Sequence, residues 1–143
     1  MPGHSLWLVP APDSSLYKNI HTLILSTIPS LYSESATHAF VPHITLTSDV
    51  TLSPSAREDP QTWLDGLNLD FHSTEENRFP LTVDARSLEV SEAFFRKLTM
   101  PAAKYAEIKE LAARCRSAGV SGVDLEAARE WAEGTYMPHI SLM

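Results

Sequence analysis

At 143 residues, 43% of them hydrophobic, the chain is long enough for one compact domain with a real core. A formal charge of −7 and a pI near 5.2 argue against a broad polyanion-binding surface, and so against duplex DNA or long RNA as the partner. The single Cys115 cannot form an internal disulfide, which favours a reducing compartment.

Leu6-Trp7-Leu8-Val9 reads as a first strand, closed by Pro10 and Pro12. The start lacks a basic n-region, and the prolines interrupt its apolar run, so no secretory signal is expected. Asp13 or Ser14 can cap a helix from about Ser15 to Thr27, with Leu16, Ile20, Leu23, Ile24 and Ile28 on one side. Pro29 is expected to end it. The apolar stretch from Ile20 to Ile28 holds His21, Thr22, Ser26 and Thr27 and is too short to cross a bilayer. No membrane span and a cytoplasmic location are therefore expected. His21 reads as a boundary residue beside Ile20, Ser30 to Thr37 as a loop, and His38 as a solvated loop residue or a rim residue of the site.

Next comes Val41-Pro42-His43-Ile44-Thr45-Leu46-Thr47, preceded by Phe40. Proline disfavours the helical region for the residue before it and has no N–H, so Pro42 suits the start of an extended segment. The alternation that follows is the period-2 signature of a half-buried strand. His43 and Thr45 then share one face, about 6.6 Å apart, while Ile44 and Leu46 take the other.

Ser48 to Asp59 reads as irregular. Asp59 before Pro60 reads as an N-cap with proline at N1, opening a short helix through Trp63 and Leu67. Phe71 to Asn77 is loop-like, with His72 a surface residue. Leu81 to Leu88 alternates as a strand, and a second strand is expected over Phe94 to Thr99, with Ser91 and Glu92 in the turn. Pro101 opens a helix from about Ala102 to Ser117, with Tyr105, Ile108, Leu111 and Ala112 as its apolar stripe and Gly119 as its stop. Cys115, on that helix, reads as a small packing residue. A shorter helix from Asp124 to Glu133 ends at Gly134.

The chain closes on Met137-Pro138-His139-Ile140-Ser141-Leu142-Met143, preceded by Tyr136. This repeats the first motif: Pro, His, Ile and Leu are identical and Ser141 answers Thr45. One His-x-Thr on a strand is usually just a polar face, but two copies matching this closely are hard to ascribe to chance. Side by side, the two strands present two imidazoles and two hydroxyls to one cleft, within reach of a small tetrahedral anion. No His-x₃-His or Cys/His cluster occurs, and no glycine-rich phosphate loop, so neither metal nor cofactor is expected.

The paired His-x-(Thr/Ser)-Leu motifs, with the opening Ser5-Leu6-Trp7-Leu8-Val9-Pro10, resemble the two-histidine (2H) phosphoesterase superfamily, and within it the fungal and plant cyclic nucleotide phosphodiesterases. The resemblance implies an α+β, bilobal fold over residues 1–143: antiparallel sheets with pseudo-twofold symmetry around a central cleft and helices outside. It implies metal-free opening of nucleoside 2′,3′-cyclic phosphates to 2′-phosphates, and of ADP-ribose 1″,2″-cyclic phosphate, a by-product of tRNA splicing. His43 and His139 would be the acid–base pair, the family leaning towards His139 as base, with Thr45 and Ser141 donating to the phosphate oxygens. Trp7 is either a substrate-flanking aromatic or a core strand residue. Tyr136 either lines the cleft or packs. Yeast-type relatives make a Golgi association the alternative location.

Relatives continue past the second motif, whereas this chain stops one residue after Leu142. The C-terminal part therefore reads as truncated, and the chain is expected to be a monomer or a dimer completed by exchange of elements. Two other readings stay open. One is a nucleotide-binding or interaction module that keeps the motifs without turnover. The other is an RNA-end 2′,3′-cyclic phosphodiesterase or 2′,5′-ligase-like enzyme, which the acidic balance disfavours.

Overall fold

The computed structural model describes residues 3–32, 39–69, 81–92 and 98–143. In chain order the elements are β1 (His4–Leu8), α1 (Ser15–Thr22), a π-helical turn (Leu23–Thr27), α2 (Ile28–Leu31), β2 (Ile44–Val50), α3 (Pro54–Glu58) and α4 (Pro60–Asp65). They continue with β3 (Glu89–Val90), β4 (Leu98–Pro101), α5 (Ala106–Gly119), α6 (Leu125–Gly134) and β5 (His139–Ser141). The strands form a five-stranded sheet in the order β1-β2-β5-β4-β3, and β5 runs antiparallel to both β2 and β4. Helices and an antiparallel sheet make the chain α+β, as the family resemblance implies. His38, His72 and positions 94–97 of the expected second hairpin strand lie outside the described residues.

Contacts divide the chain into two compact units. The first is Met1–Leu6, Leu46–Val83 and Lys104–Met137; the second is Trp7–Thr45, Asp84–Ala103 and Pro138–Met143.

In the first unit, α5 and α6 meet through small side chains: Ala112 and Ala113 on α5 and Ala128 and Ala132 on α6 are buried, which lets the backbones come close. Charges rim the contact. The Arg129 guanidinium donates to both oxygens of Glu110, at 2.9 and 2.7 Å, and Lys109 reaches Glu133 at 2.6 Å. Asp124 caps α6 by accepting from the Ala127 N–H at 2.8 Å. The end of α5 is tied to the strand beyond it: Thr51 N–H donates to the Gly119 carbonyl at 2.8 Å, and a Cβ on Gly119 would meet a Val50 methyl at 3.0 Å. A larger residue there would have to push the Val50 side chain aside by a few tenths of an ångström. Arg116 lies 4.3 Å over the Trp131 ring and donates to the Thr47 hydroxyl at 3.3 Å.

In the second unit, Ser14 caps α1 by accepting from the Tyr17 N–H at 3.1 Å. Ile20, Ile24 and Ile28 recur every fourth residue and are all buried.

Several expectations are corrected. Pro29 does not end the first helix, which runs on to Leu31. The preceding turn is widened, with the Ile28 N–H reaching back five residues to Leu23, and a widened turn is where a pyrrolidine ring avoids the carbonyl it would strike in an α-helix. Leu16, expected on the buried side, is half exposed. Ser48 to Asp59 is not irregular: β2 extends to Val50, and α3 starts at Pro54 with Ser53 as cap, accepting from the Ala56 N–H. Leu81 to Leu88 is not a strand; the ladder to β4 begins only at Glu89. The long helix starts at Ala106 rather than Ala102, because Met100 and Pro101 pair with β5 and the Ala102 N–H, donating to the Pro138 carbonyl, carries that ladder on, which keeps the backbone extended where the helix was expected to begin. Tyr105 is consequently its N-cap residue and exposed, not part of the stripe.

Candidate active site

Both motifs are strands that alternate as their sequences dictate. Pro42, Ile44 and Leu46 are buried, while His43 and Thr45 between them are half-buried; Pro138, Ile140 and Leu142 are buried, while His139 and Ser141 are half-buried. Strands β2 and β5 lie side by side and antiparallel, with Ile44 and Ile140 as Cα partners. Carrying that register one residue either way sets His43 across from Ser141 and Thr45 across from His139. All four stand on the face opposite the two isoleucines. They form a quadrilateral with imidazoles on one diagonal and hydroxyls on the other, and diagonal positions of an antiparallel pair are about 7–8 Å apart. A local twofold between Ile44 and Ile140 exchanges His43 with His139 and Thr45 with Ser141. Strand β4 widens the same face, with Thr99 across from Ser141 and Pro101 across from His139.

The imidazole of His43 is held on three sides. Its Nδ1 lies 2.6 Å from the Val41 carbonyl, which can only accept, so Nδ1 carries a proton and Nε2 is left for chemistry. The indole of Trp7 stacks on its face, with centroids 3.9 Å apart and planes inclined by 16°. Phe40 approaches its edge, with centroids 6.3 Å apart at 80°.

Trp7 is 49% exposed and so is not a core strand residue. Tyr136 is buried at 6% exposure in the first unit, its ring 5.1 Å from that of Trp131, and burial raises its phenol pKa. Its observed contact is packing. Burial also pushes the Cys115 thiol up to about 11, the character of an inert packing residue. Two neighbours escape sequence reasoning. Thr99, 6% exposed, was foreseeable only as a strand position, because its register against Ser141 depends on a pairing that no local pattern encodes. Phe40 was visible as an aromatic beside the motif, but its edge contact with His43 was not. Among the described residues, no three His, Cys, Asp or Glu side chains cluster as a metal-binding set, and no helix is long and apolar enough to cross a membrane.

Comparison with known proteins fits this geometry. The family described as cyclic phosphodiesterase-like protein matches residues 1–143. A protein of Phaeosphaeria nodorum named 2′,3′-cyclic-nucleotide 3′-phosphodiesterase is 38% identical over an alignment covering all of this chain and 69% of the relative. A Neurospora crassa protein of the same name is 32% identical, again over the whole chain and 71% of its own length. A Yarrowia lipolytica protein, likewise named, is 26% identical over 99% of the chain and 72% of the relative. With the family match running end to end over a chain that carries both histidine motifs on paired strands, this chain belongs to the cyclic phosphodiesterase-like family of 2H phosphoesterases.

Proposed function

We propose that this chain, as one two-lobed domain over residues 1–143, opens nucleoside 2′,3′-cyclic phosphates to 2′-phosphates without a metal. The observation that supports this most is the pairing of Ile44 with Ile140, which sets two imidazoles and two hydroxyls on one face of the sheet. The substrate class is supported by the names of the relatives. Opening the ring needs a water in line with the leaving ribose oxygen, a base for its proton and an acid for the leaving group. Histidine does either job near neutral pH. With phosphorus between the diagonal imidazoles, His139 takes the proton of the attacking water. Phosphorus forms its new bond to that oxygen as the bond to O3′ breaks, and His43 gives O3′ a proton from Nε2. The Nδ1–H bond to the Val41 carbonyl is compatible with this role, because it leaves Nε2 unengaged by that carbonyl. Thr45 and Ser141, on the other diagonal, donate to the non-bridging oxygens as charge builds there. The strained ring of ADP-ribose 1″,2″-cyclic phosphate presents the same chemistry and is proposed as a second substrate.

The test is hydrolysis of 2′,3′-cyclic AMP with and without chelator, with the product identified as the 2′- or the 3′-phosphate. Chelator-resistant formation of the 2′-phosphate is expected. Loss of activity with chelator rejects the metal-free mechanism, and binding without turnover makes the chain a nucleotide-binding module. Faster turnover of an oligonucleotide end than of the mononucleotide makes it an RNA-end enzyme.

A further inference from the structure

We infer that Thr99 is a positioning residue for Ser141: its hydroxyl donates to Ser141 Oγ while the Ser141 O–H donates to a phosphate oxygen of the substrate. The inference deepens the reading above, and its kinetic arm rests on that reading.

Strand β4 brings Thr99 directly across from Ser141, so its side chain stands on the face that carries both histidines. The Leu142 N–H donates to the Leu98 carbonyl and the Ala102 N–H to the Pro138 carbonyl, each at 2.9 Å. Leu98 with Leu142 and Ala102 with Pro138 are therefore hydrogen-bonded pairs of the ladder. Pair types alternate along an antiparallel ladder, which makes Thr99 and Ser141 a pair of the closer, non-hydrogen-bonded type. In such a pair the Cα atoms are about 4.5 Å apart, and threonine and serine hydroxyls are within reach of each other.

Two threonines among the described residues are buried, Thr47 and Thr99. The Thr47 hydroxyl is committed, donating to the Ser48 carbonyl at 3.2 Å and accepting from Arg116 at 3.3 Å. The Thr99 hydroxyl, on a side chain only 6% exposed, makes no hydrogen bond among the described residues. Its oxygen is not sealed off from solvent. Valine has the same shape at a buried strand position with no hydroxyl to desolvate, so the hydroxyl calls for a partner. Ser141 supplies it. A serine hydroxyl carries one hydrogen and two acceptor lone pairs, so once it donates to phosphate its oxygen can still accept from Thr99. Hydroxyls chained in this way polarise one another, and here the chain ends on an anion. The Ser141 donation therefore strengthens as charge builds on the phosphate oxygens.

Thr99→Val keeps the shape of the side chain and removes only the hydroxyl. It should lower kcat for 2′,3′-cyclic AMP by about two- to tenfold, the contribution of one hydrogen bond, with little change in KM. Thr99→Ser should keep most of the rate. In a Ser141→Ala background the loss from Thr99→Val should vanish, whereas in a Thr45→Val background it should persist in full. An equal loss beside Ser141→Ala overturns the inference, because the hydroxyl then acts without Ser141. An unchanged kcat with a raised KM also overturns it, making Thr99 a direct substrate contact, and so does a variant indistinguishable from wild type. Should the wild type lack turnover altogether, the proposed function fails while a second arm still decides the role of Thr99. That arm is a phosphorus NMR titration with inorganic phosphate, whose dianion carries charge like that developed in the reaction. Thr99→Val should weaken phosphate binding by about twofold or more where Ser141 is present, and not in Ser141→Ala. Phosphate binding that ignores Thr99, or no phosphate binding, overturns the inference.

Discussion

Ile44 and Ile140 are direct partners on antiparallel strands, and that one buried pair aligns the chemistry of both motifs on the opposite face of the sheet. Neither isoleucine is chemically active. Because side chains alternate with a period of two, a slip of one residue would turn an imidazole and a hydroxyl into the core and bring isoleucine out. Burial of the two isoleucines therefore fixes the site's geometry.

His43→Ala and His139→Ala should each lower kcat for 2′,3′-cyclic AMP by roughly 10²–10⁴, the usual contribution of a positioned acid or base. The double variant should be little worse than the poorer single one, because groups that act as a unit are not additive. Steady-state kinetics on the three proteins checks this; a single variant retaining half the wild-type rate removes that histidine from the reaction.

Thr45→Val and Ser141→Ala keep the strands and delete one donor each. A lost donor to a developing oxyanion costs up to about 10²–10³ in kcat, and half-buried positions should fall at or below the lower end. The two losses should be similar in size, since the local twofold makes the hydroxyls equivalent. Unchanged kcat with raised KM would instead make them ground-state binding groups.

Cys115 predicts an alkaline limit to stability. Its thiol, raised by burial from 9.0 to about 11, keeps its proton in the folded chain where the unfolded chain loses it. The associated stability is intact below pH 9 and is lost as the pH climbs through about 11, at most roughly 2–3 kcal/mol for two pK units. Tyr136, also raised, adds a loss further up. Urea unfolding against pH should show Cys115→Ala flattening the first part of this decline. An equal slope in wild type and variant would assign the decline to other groups.

Glu110 predicts an acid limit. Its hydrogen bond from Arg129 holds the carboxyl below the ordinary 4.5, burial opposes this, and Arg114 adds to the lowering. The contribution is present above the unfolded pKa and is lost as the pH falls through the folded one. The cluster is partly exposed, so Glu110→Gln should cost no more than about 1 kcal/mol, and salt should shrink the difference. Denaturant midpoints at low and high ionic strength measure both effects.

What could be read from the sequence follows from which signals are local. The caps at Ser14 and Asp59, the shorter helix opening at Asp124, the stop of α5 near Gly119 and the alternation of both motif strands depend on neighbours a few residues away, and all appear where expected. Ser53-Pro54 carries the same cap-plus-proline signal as Asp59-Pro60, and α3 was there to be read. Other features depend on distant partners. Leu81 to Leu88 alternates but lacks the ladder to β4, and the helix cannot begin at Ala102 because pairing with β5 holds the chain extended through Pro101 and Ala102. The stack of Trp7 on His43 joins side chains from different strands, so no pattern along the chain announces it.

The dyad through Ile44 and Ile140 also has a stereochemical consequence. A constellation that maps onto itself by half a turn accepts a cyclic phosphate equally well in either sense, and has no means of telling the 2′ oxygen from the 3′. Handedness must come from what breaks the equivalence: the aromatic wall of Trp7 and Phe40 stands at His43, and Pro101 stands beside His139. On the proposed mechanism, which of the two ring oxygens departs would be decided by these unequal flanks, not by the groups that move the protons.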